Sequence, residues 1–188
     1  DIFIYNMAIA ISKGVHEIKN EEYSIVTIPF INLPIYRESQ VRSNKFLFNM
    51  NRYNHETVFF CGGSCIIEKS IFENVGTFEE EYHYSLEEED LSIRMYNEGF
   101  KQKYLYGINI LSIHDQPPNK AWVDRYVLLC ANRILFHYKY NPSLLLRFLM
   151  NTVYLLIYFV KTKSLKKIIE ALKLYQIKKK KLKIFLTY

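Results

Sequence analysis

Apolar positions follow two regimes along this chain. Up to Pro117-Pro118 they come in short runs broken by Gly, Pro and polar stretches, and beyond it they recur at helical spacing to the end. Residues 2–5 (Ile-Phe-Ile-Tyr) form a short apolar run, and Asn6 to Lys13 predicts a helical turn or two closed by Gly14. Ser24 to Phe30 is a β-branched run of the buried-strand kind, ended by Pro29. Residues 31–58 are polar and irregular and predict a long surface loop, a type of segment that often carries function. Ser70-Ile71-Phe72-Glu73 fits a capping box opening a compact helix that stops at Gly76. A second helix is expected from Leu86 to Glu98, stopped by Gly99, and a strand within Tyr104 to Ile113 that closes on His114. Helices follow at about 119–139, 143–160 and 164–180, with no internal repeat. The reading is an α/β part over residues 1–118 and a helical part over residues 119–188.

Charge sharpens that division. The chain of 188 residues carries a net +6, but residues 161–188 hold ten Lys against Glu170 alone, which is +9. The remainder is therefore slightly acidic, at −3, with its acids concentrated between Glu79 and Asp90. Hydrophobic residues make up 49% and charged residues 23%, which excludes general disorder. The three cysteines, Cys61, Cys65 and Cys130, have neither a disulfide framework nor further zinc-ligand spacing around them, and are read as reduced core thiols of a cytosolic protein. Asp1 follows no Met and no basic leader, which suggests that this is the C-terminal piece of something longer.

Chemistry concentrates between Gly62 and His114. Gly62-Gly63 is followed by Val75-Gly76-Thr77-Phe78-Glu79-Glu80, then Glu87-Glu88-Glu89-Asp90-Leu91 with Arg94, then Gly99 and finally His114. A carboxylate in the first turn of a helix stands near the positive end of the dipole, which favours the ionised, proton-accepting form. Glu88 fits that place, yet Ser85-Leu86-Glu87-Glu88 is also a capping box, in which Glu88 only bonds the Ser85 amide. Arg94 stands four residues after Asp90, the spacing of a salt bridge along one helix face, and Glu79 to Glu81 read as a solvated acidic turn. Gly62-Gly63 is either a close backbone approach to a ligand or an ordinary tight turn.

The order and spacing of these pieces resemble the acceptor half of inverting family-2 glycosyltransferases of the GT-A type, in particular the rhamnosyltransferase-like branch. That family reads Gly-Ala/Gly, a helix, Gly-x-Phe-Asp-Glu, an aromatic pair, Glu-Asp-x-Asp-Leu-x-x-Arg, Gly-Tyr/Phe and a strand closing on His. Two departures stand out: Phe-Asp-Glu is Phe78-Glu79-Glu80 here, and the Glu-Asp pair is Glu87-Glu88. Each keeps the carboxylate and lengthens its reach by one methylene. The fold implied is a partial GT-A (Rossmann-like) acceptor-side half followed by C-terminal α-helices. The resemblance implies transfer of a sugar from a nucleotide-sugar donor to a glycan or lipid-linked acceptor with inversion. Glu88 would be the general base, Glu87 its catalytic neighbour, and Gly62, Gly63 and Asp90 would bind substrate. A divalent cation, Mn2+ or Mg2+, would be held by His114 and by Asp1 as the last carboxylate of an Asp-x-Asp motif from a missing donor half. The alternative is a catalytically inactive, membrane-associated fragment that binds acceptor only. The Gln-x-x-Arg-Trp signature of processive polymerases is absent, since Lys120-Ala121 precede Trp122, so addition of single sugars is expected.

The tail is legible on physical grounds. Residues 148–160 form a run of thirteen residues, short of the roughly 20 that span a bilayer. Leu165, Ile168, Ile169, Leu172 and Tyr175 then make an apolar stripe among lysines, as in a helix on anionic lipid. The alternative is a helix packed on the domain with Lys178 to Lys181 merely solvated. The expectation is a separable appendage from residue 143, peripheral on the cytoplasmic face of a membrane. No aromatics interleave with Lys178 to Lys181, which argues against nucleic acid as the partner.

Overall fold

In the computed structural model the described residues are 2–20, 23–28, 30–33, 37–38, 55–57, 59–60, 64–83, 85–105, 110–113 and 119–185. The chain divides into two compact units. The first comprises residues 1–78 and 88–115, the second residues 79–87 and 116–188. The fold is mixed helix and sheet, with helices predominating.

The first unit is built on helix α1 (Ile2–Asn20), strands β1 (Ile25–Thr27), β2 (Phe30–Leu33), β3 (Arg37–Glu38), β4 (His55–Glu56) and β5 (Cys65–Ile67), helices α2 (Lys69–Val75) and α3 (Glu87–Asn97), and strands β6 (Gln102–Tyr104) and β7 (Ile110–Ile113). One sheet has the order β4-β6-β1-β5 and a second the order β3-β2-β7. β1 runs parallel to β6, and β2 parallel to β7. Register slips between the two pairs: Ile25 faces Gln102, while Phe30 faces Ile110. The β-branched run expected as one strand is thus divided between β1 and β2 of different sheets, while the strand expected within Tyr104 to Ile113 is β7, with β6 preceding it. A proline has no N–H for a ladder, so the β-branched run cannot continue through it unbroken.

Alternation along β1 and β5 fixes the layers. Val26 and Ile66 face α1, in a cluster with Ala10, Ile18, Ile28 and Leu105. Ile25, Cys65 and Ile67 face the other way, packing with Phe60, Ile71, Leu91 and Met95 of the layer that contains α2 and α3. Gly14 does not end α1 but lies inside it. A Cβ there would meet Ile66 Cδ1 at 2.5 Å, so the glycine lets the helix lie close on β5. α2 opens at Lys69 with Glu68 at its N-cap and no side-chain cap bond, so the Ser70–Glu73 box is not formed. Gly76, at φ 78°, ends that helix as expected.

The second unit is helical: α4 (Asn119–Tyr140), α5 (Leu144–Thr162) and α6 (Leu165–Phe185), with a 3₁₀ turn at Glu80–Tyr82. Ser143 caps α5 by accepting from the Leu146 amide, and Lys163 ends it in the left-handed region at φ 48°, donating to the Phe159 carbonyl. Two clusters hold the unit together. Cys130 and Ile134 of α4 meet Tyr158 of α5 and Ile168 and Ala171 of α6. Tyr82 and Leu86 meet Leu135 of α4 and Leu182 of α6. The helices after residue 143 are therefore no separable appendage: their removal would strip α4 and the 79–87 segment of their core.

Candidate functional site

The acidic helix α3 begins directly after Leu86, whose φ of 71° is costly for a branched side chain. Glu87 and Glu88 lie in its first turn and are half-buried. The bond that a capping box would take from Ser85 is made elsewhere, for the Ser85 amide donates to the Tyr82 carbonyl at 3.0 Å. Ser85 also stands one residue outside the position from which a hydroxyl caps a helix beginning at Glu87.

Asp90 and Arg94 face one another as their spacing predicts, with Nε donating to Oδ2 at 2.9 Å. Asp90 is fully buried, so its carboxylate points into the packing and not to solvent. The same guanidinium reaches further than the sequence suggests. It donates through Nη1 to the Val75 carbonyl and through Nη2 to the Thr77 carbonyl, the latter at 2.7 Å. Val75 is the last residue of α2, where carbonyls lack helical partners and a cation is favoured by the dipole. Arg94 thus clasps the Val75-Gly76-Thr77 turn to the acidic helix. Phe78, which follows that turn, lies between Phe60 and Phe72 with ring centroids 6.3 and 6.2 Å away. Ser92 braces the helix from below by accepting from the Phe60 amide and, through its carbonyl, from Gln102.

Within the second unit the turn of Glu79 to Glu81 is solvated only in part: Glu80 is exposed, while Glu79 and Glu81 are half-buried. Asn132 donates to the carbonyls of His83 (3.2 Å) and Ser85 (3.0 Å) and to the Ser85 hydroxyl. Lys178 is 6% exposed and donates to Asn132 Oδ1 at 2.7 Å and to the Glu81 carbonyl. Burial lowers its proton affinity below the ordinary 10.5, partly offset by the nearby Glu81 carboxylate. Lys181 pairs with Glu81 at 3.3 Å, and Lys139 with Glu79 at 3.6 Å. Lys179 lies 4.2 Å from the Tyr138 ring centroid. Four consecutive lysines on a helix point in four directions, so a run that reads as one basic patch is divided among different tasks. No motif signalled the roles of Asn132 and Lys178; only a polar residue amid an apolar helix, such as Asn132, hinted at one.

Gly62, Gly63, His114 and Asp1 lie outside the described residues, as does Cys61. Cys65 is half-buried on β5, and Cys130 is buried in the helical core, where burial pushes its thiol up to about 12. Among the described residues no group of three or more His, Cys, Asp or Glu stands close enough to hold a metal ion. At the far end of α3 from Glu88, Tyr96, Phe100 and Gln102 with Glu56 and Lys101 line a cleft of about 230 Å³. Compared with known proteins, the chain matches no protein-family model and no curated protein.

Proposed function

We propose that this chain belongs to an inverting glycosyltransferase of the GT-A type and carries its acceptor side, with Glu88 as the general base. The observation that supports this reading most is the clasp made by Arg94. It joins the Gly76 turn to the helix of Glu87, Glu88 and Asp90, two motif pieces that the resemblance treats as one functional unit and that the sequence keeps apart. Asp90 and Arg94 then serve as positioning residues, and Glu88 in the first turn of the helix is the general base.

The acceptor hydroxyl gives its proton to Glu88 as its oxygen attacks the anomeric carbon from the side opposite the leaving group. The bond from that carbon to the diphosphate oxygen breaks, and the nucleoside diphosphate departs with the electron pair, so the configuration inverts. Glu87 adds negative field beside the base, and Gly62-Gly63 offers backbone to the sugar. Mn2+ or Mg2+ held through His114 and Asp1 would offset charge on the departing diphosphate. The acceptor is a glycan or a lipid-linked sugar at the cytoplasmic face of a membrane.

The test is Glu88→Gln, assayed for transfer from labelled uridine and thymidine diphosphate sugars to lipid-linked acceptors in membranes that carry the protein. Loss of a general base costs roughly 10²–10⁴-fold in rate, with donor binding retained. A variant that keeps more than about a tenth of the wild-type rate rules Glu88 out as the base. A wild-type protein that transfers none of these sugars, yet binds the acceptor, leaves the inactive acceptor-binding reading in its place.

A further inference from the structure

Helix α5 is apolar on its outside, while its inward side carries its polar and aromatic residues together with Leu155. Leu145, Phe148, Val153, Leu156, Phe159 and Val160 are each between 46% and 69% exposed. Arg147, Asn151, Tyr154 and Tyr158 fall on the opposite face, at spacings of four, three and four. Tyr158 is 5% exposed in the cluster with α4 and α6, and Tyr154 packs against that cluster and edge-on to His137 at 5.4 Å. The Arg147 guanidinium lies over the Tyr138 ring. Thr152, a polar side chain within the outer stripe, has its hydroxyl bonded to the Phe148 carbonyl at 2.8 Å. Water-soluble helices have the reverse distribution, and a stripe this continuous is far larger than the scattered apolar residues of a soluble surface. Polar groups turned to the bundle and apolar groups turned outward is the arrangement that hydrocarbon selects.

Length alone would allow α5 to cross a bilayer: its 19 residues cover about 28 Å and are apolar enough for a span. Its packing argues otherwise. α6 lies against α5 within the same unit and exposes Lys166, Lys173 and Lys180. A crossing α5 would draw Lys173, midway along α6, toward the bilayer centre, at about 2.5–3.5 kcal/mol. A second copy of this chain is also a poor cover for the stripe, since it would set one lysine-rich helix beside another. Anionic lipid complements them.

We propose that α5 lies in the plane of the membrane, its outward face among the acyl chains of an anionic leaflet. Lys161, Lys163 and Lys166, exposed just past Val160, sit at headgroup level. Leu165, Ile169 and Leu172 are the exposed part of the α6 stripe. The helix is thereby embedded by roughly 5–10 Å, deeper than electrostatic attachment and shallower than a span. This seating rests on the reading above only for where the protein works.

Tryptophan depth measurements test it without reference to transfer. In the full chain with Trp122→Phe, the single variants Leu145→Trp, Val153→Trp and Val160→Trp are bound to vesicles of phosphatidylcholine and phosphatidylglycerol. Bromines are placed either near the carbonyl end or near the methyl end of the acyl chains. In-plane seating expects all three tryptophans to lose most of their emission to bromines near the carbonyl end, with the same ratio between the two lipids. Deep quenching of Val153→Trp with shallow quenching of the other two shows a span and overturns the proposal. Absence of quenching at all three shows a face covered by protein and overturns it equally. The paired variant Val153→Lys with Leu156→Lys is expected to lose most of its sedimentation with these vesicles while keeping its helical circular dichroism. Unchanged sedimentation of that well-folded variant also overturns the proposal.

Discussion

Arg94 and Lys178 are the two residues whose neighbours the sequence least foretold. Arg94 satisfies Asp90 and two backbone carbonyls at once. Arg94→Ala is expected to lower stability by about 3 kcal/mol, because breaking a buried pair leaves the remaining charge desolvated. Arg94→Lys should recover less than half of that, since a point charge cannot reproduce a planar fork. Urea titration followed by circular dichroism measures both, and a loss below about 1 kcal/mol for the alanine variant would reduce the clasp to a surface contact. Lys178→Met strands two buried acceptors, Asn132 Oδ1 and the Glu81 carbonyl, at a cost of roughly 1–3 kcal/mol. Its pH dependence carries a definite sign. The folded lysine binds its proton more weakly than the unfolded one, so the unfolded state holds more protons between the lowered value and 10.5. Wild-type stability should therefore rise relative to Lys178→Met as pH climbs through that window. A difference that is flat with pH, measured by urea titration at a series of pH values, would show that Lys178 is solvated.

Elements were legible where one period ran uninterrupted. The three long helices after residue 118 and the acidic helix stand within a few residues of the bounds that their apolar spacing and their Gly stops suggest. Reading failed where tertiary contact overrode a local signal. Gly14 reads as a stop, yet it sits mid-helix because Ile66 leaves no room for a Cβ. Ser70–Glu73 spells a capping box that does not form, because α2 starts two residues too early, and Ser85 lies one residue outside the N-cap of a helix that begins at Glu87. The run from Ser24 to Phe30 reads as one strand, whereas it divides between two sheets whose parallel pairs differ by three residues in register. On α6 the apolar stripe divides, with Ile168 buried and Ile169 exposed, because a helix buried along one line leaves adjacent positions on different faces.

Taken as a whole, the molecule separates a slightly acidic α/β unit from a helical unit in which Lys predominates. Lys178 bonds Asn132, Lys181 pairs with Glu81, and Lys167 pairs with Glu170 at 3.1 Å, so on the proposed seating fewer lysines than the tail's ten would be given to lipid. Each of the others contributes about 1 kcal/mol near an anionic surface. The excess binding to anionic over zwitterionic vesicles should vanish between about 0.1 and 0.5 M salt, as the Debye length shrinks below 10 Å. Binding that remains at high salt measures the α5 face. Equal binding to both vesicle types at low salt, read by sedimentation, would remove electrostatics from the account.

By itself the sequence determined the succession of α/β and helical regions, the asymmetry of charge, and the pairing of Asp90 with Arg94. Those properties depend on local period, composition and spacing within a helix. It also carried the motif order on which the proposed transfer rests. Only the tertiary structure decided that Arg94 reaches α2, that Asn132 and Lys178 hold the segment from Glu81 to Ser85, and that the polar side of α5 faces inward. These depend on which residues far apart in the chain are brought together. Hydrophobic periodicity reports how wide an apolar face is, but not whether the opposite, polar face is the one that turns to water.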